Sequence, residues 1–146
     1  MTEKTLLLVE DNPDDAELTL RAFRKNKVTN DIHVARDGAE AIAWLLGPGG
    51  AAGTVARMPG VVLLDLKLPK IDGLEVLRRI RADERTRFLP VVILTSSDEA
   101  ADLHDSYRLG ANSYVLKPVD FGDFLKATLQ LAFYWLVLNV VPPVRG

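Results

Sequence analysis

Val61-Val62-Leu63-Leu64-Asp65-Leu66-Lys67-Leu68-Pro69 is the stretch on which the reading of the chain turns. Its four leading apolar residues have the length of a strand and are bounded by Pro59-Gly60 before and Pro69 after. An unbroken run of this kind suits a parallel strand buried on both faces, although periodicity by itself also admits a buried helix segment. Asp65 follows at the carboxyl end of the run, where open α/β sheets gather their ligands. A carboxylate there has to be hydrated, paired or metal-bound, because a lone buried charge is very costly. Taken alone, Asp65 reads equally well as the cap of the next turn.

Upstream, Thr5-Leu6-Leu7-Leu8-Val9 reads as a second buried strand, ending in Glu10-Asp11-Asn12-Pro13-Asp14-Asp15. Pro13 suits a first helical turn and the acids suit the positive end of the helix dipole. That helix is predicted to reach about Lys25, with Ala16, Leu18, Ala22 and Phe23 packing inward. A short strand is expected at Asp31 to Ala35. After it, Asp37 is placed to cap a helix through Leu46, with Glu40 completing a capping box. The Gly-, Ala- and Pro-rich segment Gly47 to Gly60 reads as a mobile connector. Its glycines follow a helix and lack Gly-Lys-Ser/Thr, so they do not form a phosphate loop.

Downstream, Ile71-Asp72-Gly73 leads into a helix over roughly Leu74 to Ala82, with Leu74, Leu77 and Ile80 as its inward stripe. Pro90 introduces the strand Val91 to Thr95. A polar helix spans about Glu99 to Leu109 and stops at Gly110. Ser113 to Leu116 is the last strand, closed by Lys117-Pro118, and a final helix runs from near Asp120 towards Leu138. Strand and helix alternate about five times, the pattern of right-handed βαβ units that build a parallel α/β sheet with helices on both faces.

The 146 residues fit one domain spanning 1–146. A net charge of −2 without any Lys/Arg run leaves no electrostatic footprint for nucleic acid. Cysteine is absent, which removes disulfides and thiolate ligands. The amino terminus lacks the plan of a signal peptide, so the cytoplasm is the expected compartment.

Four strand ends carry polar groups able to converge: Glu10-Asp11, Asp65, Thr95-Ser96 and Lys117. Clustered carboxylates repel one another and favour protonation unless a cation joins them. With no His or Cys beside them, a hard cation is expected, and Mg²⁺ fits best. Lys117 adds a mobile positive charge and Thr95 a hydroxyl. Acids, metal, lysine and hydroxyl together describe a site that accepts a phosphoryl group, with Asp65 as the nucleophile that forms an acyl phosphate.

At these motifs the sequence resembles the receiver domains of two-component response regulators, from Leu6 to about Leu125. The resemblance rests on Val9-Glu10-Asp11-Asn12, on Leu63 to Pro69 with Asp72-Gly73, on Leu94-Thr95-Ser96, and on Tyr114-Val115-Leu116-Lys117-Pro118. It implies a doubly wound five-stranded sheet in the order 2-1-3-4-5, and Asp65 taking a phosphoryl group from a sensor histidine kinase. Glu10, Asp11, Asp65 and the main-chain carbonyl of Lys67 would hold Mg²⁺, and Lys117 would pair with the phosphate. Thr95 would move towards the phosphorylated Asp65, Tyr114 would swing inward behind it, and the Lys117–Pro118 bond would be cis. The overall likeness is greatest to the small regulators paired with cyanobacterial and bacterial phytochromes.

Residues 128–146 depart from a lone receiver. Leu129, Leu131, Ala132, Phe133, Tyr134, Trp135, Leu136, Val137 and Leu138 are apolar all round the helix, and one small domain covers a single face. The run is too short to span a membrane. The alternatives are a tail folded back on its own domain and a self-complementary patch in a C2 homodimer; the second is expected, centred on Phe133, Trp135 and Leu136, with an arm beginning at Pro142-Pro143. The rival is a haloacid-dehalogenase-type phosphatase, an enzyme with an aspartyl nucleophile. It needs a second Asp two residues after the first, and that position is Lys67 here. A flavodoxin-type binder is disfavoured because Glu10, Asp11, Asp14 and Asp15 would repel a phosphate after the first strand. The expectation is a signalling protein, not an enzyme.

Overall fold

The computed structural model describes residues 4–54 and 57–142. Its element order is β1 (Leu6–Val9), α1 (Pro13–Lys25), β2 (Ile32–Ala35), α2 (Gly38–Leu46), β3 (Val61–Leu64), α3 (Gly73–Ala82), β4 (Val91–Thr95), α4 (Ala100–Arg108), β5 (Ser113–Leu116) and α5 (Phe121–Phe133). All neighbouring strands pair in parallel, in the order β2-β1-β3-β4-β5. Both the alternation and the implied strand order are observed.

Side chains alternate across a strand, so the continuous apolar runs feed two cores at once. Leu7, Val9, Val62, Leu64, Val91 and Ile93 point to the face covered by α2 and α3, against Ala41, Leu45, Val76, Leu77 and Ile80. Leu6, Leu8, Val61, Leu63, Val92 and Leu94 point to the other face, against Ala16 and Phe23 of α1 and Ala132 of α5. The α1–α5 layer is fastened by Asn26, whose Nδ2 donates to Leu125 O (2.8 Å) and Thr128 Oγ1 (3.1 Å).

The caps follow the sequence. Asn12 Oδ1 accepts from the Asp14 and Asp15 N–H groups, Asp37 caps Glu40, and Asp72 caps Glu75. Gly110 adopts φ +102° just past α4, the left-handed position that suits glycine. The connector Gly47 to Gly60 differs from expectation. Gly50, Ala51 and Ala52 are buried, and the 3-10 turn Ala51–Gly53 joins the core beneath α2. Small residues let this backbone lie close to the helix, where composition alone suggested mobility. His33 of β2 stacks on Trp44 of α2 with ring centres 4.5 Å apart, which accounts for both side chains structurally.

Gly73 sets the position of the site. A Cβ there would fall 2.3 Å from Asp65 O and 2.6 Å from Leu66 Cα, so only glycine lets α3 start against the end of β3. Gly73→Ala is expected to cost about 1–3 kcal/mol through this backbone clash, read as a lower urea midpoint with an unchanged slope.

The carboxyl terminus carries two corrections. After α5 the chain widens into a π-helical turn, Tyr134–Leu138, closed by Asn139 N–H on Tyr134 O at 2.6 Å. Trp135 and Leu136 pack onto the α1–α5 core and do not form an exposed ring. The exposed apolar side chains here are Leu129, Phe133, Tyr134, Val137, Leu138 and Val140. The start of the expected arm at Pro142 is described, but Pro143 to Gly146 lie outside the described residues. No helix among the described residues is long and apolar enough to cross a membrane.

Candidate functional site

The sheet delivers three site residues by the same device. Glu10, Asp65 and Lys117 are each the first residue beyond a strand, and each continues the ladder by one backbone bond. Glu10 N–H donates to Ala35 O (3.0 Å), Asp65 N–H to Val9 O (3.1 Å) and Lys117 N–H to Thr95 O (2.8 Å). Thr95 is the last residue of β4 and is fully buried. Parallel register therefore brings the four groups to one rim without any help from the loops.

Lys117 Nζ is the hub of the site. It donates to Glu10 Oε1 (2.5 Å), to Asp65 Oδ2 (3.0 Å) and to Asp15 Oδ2 (3.0 Å). Asp65 Oδ1 accepts from Thr95 Oγ1 (3.0 Å) and from the Lys67 N–H (3.3 Å). Glu10 Oε2 accepts the Asn12 N–H (3.2 Å), which steers its carboxylate towards the rim. Asp11 is exposed, and its carboxylate comes close enough for Glu10, Asp11 and Asp65 to place one oxygen each within 4.8 Å of one another.

Burial pushes the Glu10 carboxyl up to about 7, against the pull of Lys117. Burial would lower the Lys117 ammonium, but its bonds to Glu10 and Asp65 outweigh that and hold it above its ordinary value. Three carboxylates facing one ammonium leave an excess of hard, anionic oxygen, the donor set that suits a small divalent cation.

Sequence reasoning missed Asp15, the third partner of Lys117. It reads as one more acid at a helix start, yet it stands in the first turn of α1, three residues after the N-cap Asn12, and its carboxylate meets Lys117. Tyr114 packs against the α2–α3 core, and its hydroxyl donates to Ser97 O (2.7 Å). Burial raises the pKa of its phenol. The expected cis bond at Lys117–Pro118 is a further correction: no cis peptide occurs among the described residues. The trans form is favoured by about 0.5–1 kcal/mol at X–Pro bonds. Phe133, Trp135 and Leu136 take no part in this site.

Known proteins resemble this chain in sequence and fold. Residues 6–129 match the family described as the response regulator receiver domain. A probable methanogenesis regulatory protein of Methanothrix harundinacea, FilR2, is 44% identical over 94% of this chain and 86% of its own length. Response regulator Rcp1 of Synechocystis is 34% identical over 95% of this chain and 93% of its own. The solved Mn²⁺-bound form of Rcp1 superposes with a TM-score of 0.83, covering 96% of this chain and 99% of that one. The structure of the bacteriophytochrome response regulator AtBRR is 49% identical with a TM-score of 0.72, covering 96% of this chain and 100% of that one. Fold, strand order and sequence agree over nearly the whole length, and the chain belongs to the response regulator receiver domain family.

Proposed function

We propose that the protein is a single-domain response regulator in which Asp65 accepts a phosphoryl group from the phosphohistidine of a sensor histidine kinase. The observation that carries this reading is the convergence on Asp65 of Lys117, Thr95 and the Lys67 N–H beside the carboxylates of Glu10 and Asp11. An oxygen of Asp65 bonds to phosphorus while the bond from phosphorus to the donor nitrogen breaks, leaving an acyl phosphate and a free imidazole. Lys117 neutralises charge on the transferred oxygens and Thr95 supplies a hydroxyl donor. Glu10, Asp11, Asp65 and the Lys67 carbonyl would hold Mg²⁺, which supplies further charge neutralisation when bound.

Similarity to the bacteriophytochrome response regulator AtBRR supports a phytochrome-type kinase as the donor. Two apolar surfaces support two contacts. Leu103, Tyr107, Leu116 and Val119, exposed on α4, β5 and the start of the following loop, suit a downstream protein. Leu129, Phe133 and Val137, spaced four apart, suit a second copy of the chain. The phosphoryl reading is tested by incubation with acetyl phosphate and Mg²⁺ followed by intact mass. One added phosphoryl group is expected, and an unmodified chain, or steady release of inorganic phosphate from small phosphomonoesters, would overturn the reading.

Metal binding is expected to depend on pH. The Glu10 carboxyl, raised to about 7, holds a proton below that value that a bound cation must displace. Mg²⁺ affinity should therefore climb as pH rises through about 7 and level off above it. Calorimetric titration on either side of that value checks the sign, and an affinity that falls with rising pH contradicts it.

A further inference from the structure

A closed circuit of polar groups surrounds the mouth of the site, and one member of it has no part in the chemistry described so far. Thr95 Oγ1 donates to Asp65 Oδ1 (3.0 Å) and accepts the Ser97 N–H (3.3 Å). Ser97 Oγ donates to Asp102 Oδ2 at 2.6 Å. The same carboxylate oxygen lies 3.8 Å from Lys67 Nζ, and the Lys67 N–H returns to Asp65 Oδ1. The ring thus joins the β3–α3 loop, the β4–α4 loop and the first turn of α4, and Tyr114 ties β5 to it through Ser97 O. It borders an open cavity of about 420 Å³. Among the described residues lining that cavity, Lys67 is the one cation, facing Asp11, Asp72 and Asp102.

Asp102 is the unexplained member. Its side chain is only 16% exposed, whereas that of Lys67 is 69% exposed and free to move. A phosphoryl group on Asp65 brings a charge of about −1.5 to −2 two residues from the flexible Lys67, whose own N–H contacts the Asp65 carboxylate. Two anions then compete for one long, flexible cation.

Resting on the phosphoacceptor reading of Asp65, we infer that Asp102 is a positioning residue that holds the Lys67 ammonium off the phosphoryl group and thereby shortens its stay. Hydrolysis joins a water oxygen to phosphorus and breaks the bond from phosphorus to the Asp65 oxygen. The electron pair returns to the Asp65 carboxylate, the proton goes to solvent and inorganic phosphate leaves. While Asp102 retains Lys67, the open side of the phosphorus is accessible to that water. Without the Asp102 charge, Lys67 folds over the phosphoryl oxygens, covers that side and stabilises the bound group. Ser97 keeps an acceptor in Asp102→Asn, so the first turn of α4 stays anchored.

The test compares decay of the acetyl-phosphate-labelled protein, followed by intact mass, in wild type, Asp102→Asn, Lys67→Met and the double variant. Asp102→Asn is expected to slow decay roughly two- to fivefold, the range that a partly exposed charge pair supplies. In the Lys67→Met background the same substitution is expected to change nothing, since the cation through which Asp102 acts is gone. A merely structural role for Asp102 would move both backgrounds alike. Unchanged or faster decay in Asp102→Asn, or an equal effect with Lys67→Met, overturns the inference and leaves the labelled Asp65 standing. Absence of label on the wild-type chain overturns both readings.

Discussion

Asp65→Asn protein incubated with acetyl phosphate and Mg²⁺ is expected to gain no phosphoryl group, while the wild-type chain gains one. The substitution replaces a carboxylate oxygen with an amide nitrogen that is no nucleophile, at nearly constant volume. Its surroundings are built to survive the change. Thr95 and the Lys67 N–H retain an acceptor in the amide oxygen, and Lys117 keeps Glu10 and Asp15 as partners. Removing one of three clustered carboxylates relieves repulsion, so folding stability should hold or rise. Loss of label without loss of fold is therefore the expected pair of results, read by intact mass and by urea unfolding. Label retained in full would move the acceptor elsewhere, and Asp11, exposed at the same rim, is the next carboxylate to test.

The parts of this molecule that were legible in the sequence share one physical trait: each is decided by residues close together in the chain. Val61 to Leu64 and Val91 to Leu94 are apolar on both faces, which only a sheet covered on both sides accommodates. Glu10, Asp65 and Lys117 follow their strands directly, so the alternation that places the strands also places them at one rim. Groups that depend on distant partners were hidden. Asp15 meets Lys117 across 102 residues of chain, and Asp102 meets Lys67 only because α4 docks beside the β3–α3 loop.

The carboxyl-terminal helix was misread for a different reason. A helix apolar all round gives no stripe from which to infer the inward face, and the π-helical turn after Phe133 abandons the 3.6-residue period. Trp135 and Leu136 consequently turn onto the α1–α5 core, and Phe133 and Val137 turn away from it. Leu136 Cδ2 sits 3.2 Å from where a Cβ on Gly60 would stand, so that glycine makes room for it.

That correction chooses the variants for the second large effect. Trp135→Glu or Leu136→Glu would put a charge against the domain's own core, where both side chains are half-buried, and confuse unfolding with dissociation. Phe133→Glu and Val137→Glu instead change side chains that are 54% and 66% exposed in the single chain. In a C2 interface each substitution occurs twice, and residues at the centre of such patches cost about 2 kcal/mol or more apiece. Two copies give about 4 kcal/mol, roughly a thousandfold weaker association. Light scattering is expected to show two protomers for the wild-type chain and one for either variant, each still folded and still accepting a phosphoryl group on Asp65. Val119→Glu, on the other exposed apolar surface, should leave the dimer intact. A wild-type monomer would overturn the dimer outright. A dimer that survives Phe133→Glu and Val137→Glu but dissociates with Val119→Glu would move self-association from the terminal helix to the surface proposed for a downstream protein.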